Sequence, residues 1–181
     1  RMDMNPTITI ARLTFREASR RWILWVALLL GVLFLIVYGS GFNEIQKGIR
    51  ADLGERSLLQ RSEIYNFLLM AGLYAVNFLA VMMAVLTSVD TLSGEIASGT
   101  IHTLVSKPVR RWEIALGKWL GFAAMLLAYL VLMAGGVMGV VYWITGYAAP
   151  HYERGLALMA FNILLLLSIS FMGGSVLSTL A

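Results

Sequence analysis

Four long apolar stretches separated by polar segments dominate the hydrophobic pattern of this chain. They cover residues 22–42, 64–89, 117–145 and 156–181, and no charged residue lies well inside any of them. A helix the length of the first stretch is about 32 Å long, enough to cross a hydrocarbon core of roughly 30 Å. The pattern therefore predicts an all-α, polytopic transmembrane helical bundle with four spans, forming a single transmembrane domain over residues 1–181.

The composition supports this prediction and excludes a soluble core. The chain is 59% hydrophobic and 13% charged, with a mean hydropathy of +0.79, whereas soluble domains are about 45–50% apolar and about 25% charged. It contains no cysteine, so it has no disulfide framework and no thiolate metal site. The net charge is +4, and the basic residues lie beside the spans. They therefore indicate contact with membrane lipids and no nucleic acid partner.

Residues 5–21 are predicted to form an amphipathic interfacial helix before the first span. Asn5 can cap this helix and Pro6 suits its first position. On a helical wheel an apolar face consists of Ile8, Ala11, Phe15, Ala18 and Trp22, and another face carries Arg12, Arg16 and Arg20. The pattern fits a helix lying among lipid headgroups, or basic flanking residues that only set the topology. Both interpretations place this end in the cytoplasm.

Residues 43–63 contain four basic and four acidic residues. We interpret this segment as a solvated exterior loop, with a short helix around residues 57–64. Its four acids could be taken for a cation site, but their spacing shows no ligand geometry.

A few polar residues inside the spans are candidates for a translocation path. Asn77 in the second span needs a hydrogen-bond partner in lipid, so it lines either a substrate route or an interhelical contact. The fourth span carries Asn162, Ser168 and Ser175. These side chains could line the same route, and the hydroxyls could equally bond to carbonyls within their own helix.

A stripe of small residues follows one face of the third span. Its members fall within about 60° of arc at 100° per residue; they are Gly117, Gly121, Ala124, Ala128, Gly135 and Gly139. Small residues allow helix backbones to approach closely in lipid. This face is therefore predicted to pack against another helix, either of this chain or of a second subunit.

The polar segment over residues 90–116 separates the second and third spans. Gly94 and Gly99 give the backbone freedom where the chain leaves the second span. Thr100 can cap a short helix that Pro108 prevents from continuing. The apolar face of this predicted helix, over about residues 101–106, consists of Ile101, Leu104 and Val105. The segment is thus predicted to hold a short amphipathic helix at the mouth of two spans.

The order of residues in this segment resembles the cytoplasmic loop of type-2 ABC transporter permeases, the export-class membrane subunits. The matching positions are Glu95, Gly99, Thr100, Leu104, Ser106, Pro108, Val109, Arg111, Glu113, Ile114, Gly117 and Lys118. One departure is Arg110, where that family often has Ser or Thr. The resemblance implies that residues 90–116 carry a coupling helix that docks into a cytoplasmic ATPase subunit.

The resemblance also implies an assembly, a location and a longer domain. A second permease subunit, identical or a sister chain, would complete the transporter in a bacterial or archaeal cytoplasmic membrane. Such permeases usually have six spans, so the last part of the domain is expected to lie beyond residue 181. The residues expected to contact the ATPase are Glu95, Gly99, Thr100, Ile101, Leu104, Pro108 and Arg111.

The distribution of Lys and Arg predicts the orientation. Five lie in residues 1–21 and four in residues 90–118, against four in residues 43–63 and one in residues 145–155. The richer side is cytoplasmic by the positive-inside rule. Both ends of the full domain are then cytoplasmic.

The sequence carries no motif for catalysis. It has no G-x-x-x-x-G-K-[ST] loop and no H-E-x-x-H, and neither a catalytic nor a metal site is predicted. ATP and Mg²⁺ would bind the partner subunit, and this chain is expected to be no enzyme. The sequence thus predicts a permease subunit of an ABC exporter. The alternative is a membrane scaffold that binds a cytoplasmic partner without transporting a substrate.

Overall fold

The computed structural model describes residues 6–20, 22–52, 58–98, 111–148 and 150–180, which are almost entirely helical. The helices within these residues are α1 (Pro6–Arg20), α2 (Trp22–Asp52), α3 (Leu58–Ser98), α4 (Arg111–Thr145) and α5 (Tyr152–Leu180). The last four each contain a stretch long and apolar enough to cross a bilayer. The predicted all-α bundle with four spans is therefore confirmed for the described residues.

Helix α4 is the centre of the bundle, because it packs against each of the other four helices. Of its apolar stretch 44% is buried, against 6% for that of α2. The largest fully buried side chains come from α3, α4 and α5; they are Val76, Leu126, Leu130, Met133, Val137, Val141, Ile163 and Leu167. Displacement of α4 would therefore be transmitted to all the described helices, whereas α2 lies at the periphery.

Residues 43–63 are largely helical, so the predicted loop is wrong, although the short helix predicted around residues 57–64 agrees with the start of α3. Helix α2 continues to Asp52 and α3 begins at Leu58. The segment contains no proline, and nothing forces a helix to end where the bilayer does. Residues 53–57 lie outside the described part of the chain.

The polar segment between the second and third spans is shorter than predicted. Helix α3 continues through Gly94 to Ser98, and α4 begins at Arg111. A glycine inside a helix costs about 1 kcal/mol relative to alanine. Helix α3 tolerates this cost because another part of it is packed in the bundle. The connection is thus reduced to residues 99–110. These lie outside the described residues, so the short helix at 101–106 stays a prediction.

Candidate functional site

Two of the seven residues predicted to contact an ATPase lie in described helices. Glu95 is near the end of α3, and Arg111 is the first residue of α4. The other five lie in residues 99–110. Because α3 and α4 pack against each other, the predicted coupling segment connects two helices that form the core of the bundle.

Helix α1 packs on the N-terminal part of α4, where the two backbones come very close. A Cβ atom on Gly121 would lie 2.8 Å from the Cβ of Thr14 and 2.9 Å from the carbonyl oxygen of Ala11. Thr14 is buried in this contact. Only glycine permits so close an approach. The predicted apolar face of α1 is therefore divided, since Ala11 packs on α4 and Phe15 is exposed, as expected of a side chain that faces lipid.

The stripe of small residues on α4 divides into two parts. Gly117 and Gly121 are buried, and α1 covers Gly121. The other four members are exposed in this chain; they are Ala124, Ala128, Gly135 and Gly139. A Cβ on Gly135 or Gly139 would meet nothing within 4 Å among the described residues. One part of the stripe thus packs within the chain, and packing of the other part stays a prediction.

Two tyrosines attach the peripheral helix α2 to its neighbours. The hydroxyl of Tyr38 donates a hydrogen bond to the carbonyl of Leu68 on α3 at 3.0 Å, and the tyrosine ring lies against Gly72. From α4, the hydroxyl of Tyr129 donates to the carbonyl of Ala27 on α2 at 3.3 Å. The sequence analysis predicted neither contact. The signal that could have indicated them is a tyrosine inside an apolar span, because a buried tyrosine hydroxyl needs a hydrogen-bond partner.

A side chain from α2 caps the C-terminal end of α4. The last carbonyls of a helix lack partners within it. Here the Nε2 of Gln46 on α2 donates to the carbonyl of Ile144 at 2.9 Å, and the N–H of Gly146 donates to the carbonyl of Tyr142 at 2.7 Å. Gly146 has φ of 70°, the left-handed conformation typical of the glycine after a helix. Gln46 is 6% exposed, although the sequence placed it in a solvated loop.

Replacing Gln46 with leucine is expected to lower the free energy of unfolding by about 1–3 kcal/mol, because the part-buried carbonyl of Ile144 loses its donor. The matched control is Asn43→Leu, an exposed position on the same helix, which is expected to change stability by less than about 0.5 kcal/mol. Unfolding of the full chain in detergent measures both. Equal effects of the two variants would show that this cap contributes nothing.

The structure describes the side chains of three of the four translocation candidates, Asn77, Asn162 and Ser168. The Oδ1 atom of Asn77 is buried without a hydrogen-bond partner. The hydroxyl of Ser168 donates to the carbonyl of Leu164 at 2.8 Å and accepts from Nε1 of Trp119 at 3.1 Å. Ser168 therefore makes the carbonyl bond within its own helix that was one of the two open interpretations. Asn162 is exposed on α5, and the side chain of Ser175 lies outside the described part.

A cavity of about 350 Å³ lies beside the C-terminal end of α4. Three of the aromatic residues at this end line it, Tyr142, Tyr147 and Tyr152, over a floor that includes buried Leu69 and Val141. The lining carries no acid or histidine. Elsewhere in the described part of the chain no group of three or more His, Cys, Asp or Glu side chains could hold a metal ion. The cavity therefore suits apolar groups, and sequence patterns alone gave no sign of it.

Comparison with known proteins agrees with this architecture. The sequence matches the family model described as ABC-2 family transporter protein over residues 8–181. It is also 28% identical over 156 residues to a protein of Stutzerimonas stutzeri named probable ABC transporter permease protein NosY. That match covers 79% of this chain and 52% of the relative, so the chain spans about half of the relative's length. Since the family model extends over nearly the whole sequence, the chain belongs to the ABC-2 family of transporter proteins.

Proposed function

We propose that this chain is a permease subunit of an ABC exporter, driven by ATP that a separate cytoplasmic subunit hydrolyses. Two permease subunits, identical or sister chains, would form the transporter. One observation carries the proposal: residues resembling a coupling loop directly connect α3 to α4, the helix that packs against all the others. Family membership supports it.

The packing suggests how the chain would transmit force. Closure of the ATPase dimer would displace the coupling segment and, with it, the start of α4 at Arg111. Because interiors are close-packed, such a displacement moves neighbouring helices as units. Helix α1 would follow α4, since the two meet at Gly121 without space between their backbones.

We assign the contact with the ATPase to a few side chains of this segment. Ile101 and Leu104 would form its apolar anchor, and Glu95 and Arg111 would make polar contacts beside it. ATP and Mg²⁺ would be held by the ATPase, so the role of this chain is mechanical. The excess of Lys and Arg on one side supports a cytoplasmic location for the segment, in the cytoplasmic membrane of a bacterium or archaeon.

Replacing Leu104 with aspartate is expected to abolish coupling while leaving membrane insertion intact. A charge at the centre of an apolar contact removes at least about 2 kcal/mol of binding free energy, or roughly 30-fold in affinity. The experiment co-expresses the full-length permease with its ATPase. It measures how much ATPase co-purifies in detergent and the hydrolysis rate of the complex.

The matched control is Thr103→Asp, which adds the same charge to the opposite side of the predicted short helix and is expected to retain coupling. If both variants bind the ATPase as the unmodified protein does, this segment is not the coupling site. If the unmodified protein recovers no ATPase, the chain is a scaffold for another partner and the proposal fails.

A further inference from the structure

The contact between α1 and α4 fixes the depth of α1 in the bilayer. From Gly121 to Thr145, the last residue of α4, the helix rises about 36 Å at 1.5 Å per residue. The hydrocarbon core measures roughly 30 Å. Tyr142 and Trp143 are exposed at the far end of α4, and such aromatic residues mark a bilayer boundary. With that end at one boundary, Gly121 and the part of α1 packed on it lie among the headgroups of the other.

The same contact fixes the rotation of α1 about its axis. Thr14 and Ala11 lie against Gly121, so their side of α1 faces α4. At 100° per residue, Arg12 and Arg16 each lie about 160° from Thr14. Both arginines are exposed. Both positions therefore lie on the side of α1 that faces away from α4.

Apolar side chains flank this pair of arginines on both sides. Leu13 is 62% and Phe15 is 41% exposed, and each lies roughly 80° around the helix from the arginines. Basic residues bordered by large apolar ones are typical of helices that lie in the membrane interface.

We propose that α1 is a binding site for anionic phospholipid, in which Arg12 and Arg16 bind the headgroup phosphate and Leu13 or Phe15 contacts the acyl chains. This inference does not depend on the proposed exporter function, since it rests on the depth, rotation and charge of α1 alone. Guanidinium groups bind phosphate oxygens through two parallel hydrogen bonds. Helix α1 would then hold an anionic lipid beside α4.

The test measures binding of two pyrene-labelled lipids, phosphatidylglycerol and phosphatidylcholine, to the full chain in neutral detergent. Energy transfer from the protein's tryptophans reports binding, because Trp22 and Trp25 are exposed at the start of α2, next to α1. Each basic residue near an anionic surface contributes about fivefold in affinity. We expect phosphatidylglycerol to bind about 30-fold more tightly than phosphatidylcholine at low salt, and the preference to shrink at high salt.

Variants of the two arginines distinguish lipid binding at α1 from nonspecific electrostatic attraction of anionic lipid to a basic protein. The double variant Arg12→Gln/Arg16→Gln is expected to lose the preference, and Arg12→Lys/Arg16→Lys is expected to keep most of it. Arg154→Gln is the matched control, since this exposed arginine lies at the start of α5, and it should retain the full preference. Helix content by circular dichroism confirms that each variant is folded.

Several outcomes would overturn the proposal. Equal binding of the two lipids to the unmodified protein would do so, as would an unchanged preference in the double glutamine variant. A double variant that keeps its lipid preference but no longer recovers the ATPase would assign the arginines to a protein contact. An equal loss of the lipid preference in the double glutamine and Arg154→Gln variants would show only nonspecific attraction of anionic lipid to positive charge.

Discussion

Replacing Gly121 with alanine is expected to lower the free energy of unfolding by about 1–3 kcal/mol, the range measured for overpacked cores. The new Cβ would lie less than 3 Å from both the Cβ of Thr14 and the carbonyl oxygen of Ala11. One of these atoms belongs to the backbone, so a change of side-chain rotamer cannot relieve the collision. Helix α1 must instead move away from α4, and without that contact its backbone unfolds locally more often.

Two measurements on the full chain in detergent check this expectation. Denaturant unfolding gives the loss of stability, and limited trypsin digestion gives the rate of cleavage after Arg12 and Arg16. We expect cleavage to become faster in the Gly121→Ala variant, because opening of the α1–α4 contact makes the backbone of α1 available.

Gly135→Ala is the matched control, since it makes the same change on the same helix and stripe. A Cβ at Gly135 would meet nothing within 4 Å in the described part of the chain. Alanine favours helix over glycine by roughly 1 kcal/mol, so this variant is expected to be as stable as the unmodified chain or more so. Equal destabilisation by both substitutions would show that the close approach at Gly121 is unimportant.

The contrast between these two glycines shows what the sequence can and cannot specify. Periodicity correctly places Gly121 and Gly135 on one face of α4, because the angle between successive residues is a local property of the helix. Which part of that face another helix covers depends on the path of the whole chain. The sequence therefore predicted the stripe, but not that α1 covers Gly121 and leaves Gly135 exposed.

The spans were predictable for a similar local reason, since bilayer thickness sets the minimum length of an apolar run. The C-terminal ends of α2 and α3 were not, because the boundary of the bilayer is not a boundary for backbone hydrogen bonding. Helix α2 accordingly extends to Asp52 and α3 to Ser98. Gln46 was assigned to a solvated loop for this reason, and its bond to Ile144 depends on a contact between distant parts of the chain.

Replacing Asn77 with leucine is expected to raise the free energy of unfolding by about 1–3 kcal/mol, the penalty of a buried polar group without a partner. The Oδ1 atom of Asn77 is buried and accepts no hydrogen bond from any described residue. Leucine has a similar size and no polar atom to satisfy. If Asn77 instead held two helices together through a hydrogen bond, the same change would destabilise the bundle. Asn66→Leu, at an exposed position of α3, is the control and should change stability little.

An acceptor that is buried without a donor in one arrangement of the helices is stabilised when a donor enters, whether water or a transported molecule. A destabilised Asn77 would therefore be consistent with the translocation route predicted from the sequence. The chain has no cysteine, so Asn77→Cys would provide a single thiol for a membrane-impermeant maleimide. We expect this thiol to react when ATP drives the co-purified ATPase, and Leu126→Cys, a fully buried position, to stay unreactive throughout. A gain of stability in Asn77→Leu together with an unreactive thiol would leave Asn77 outside the route, because no aqueous donor then reaches it.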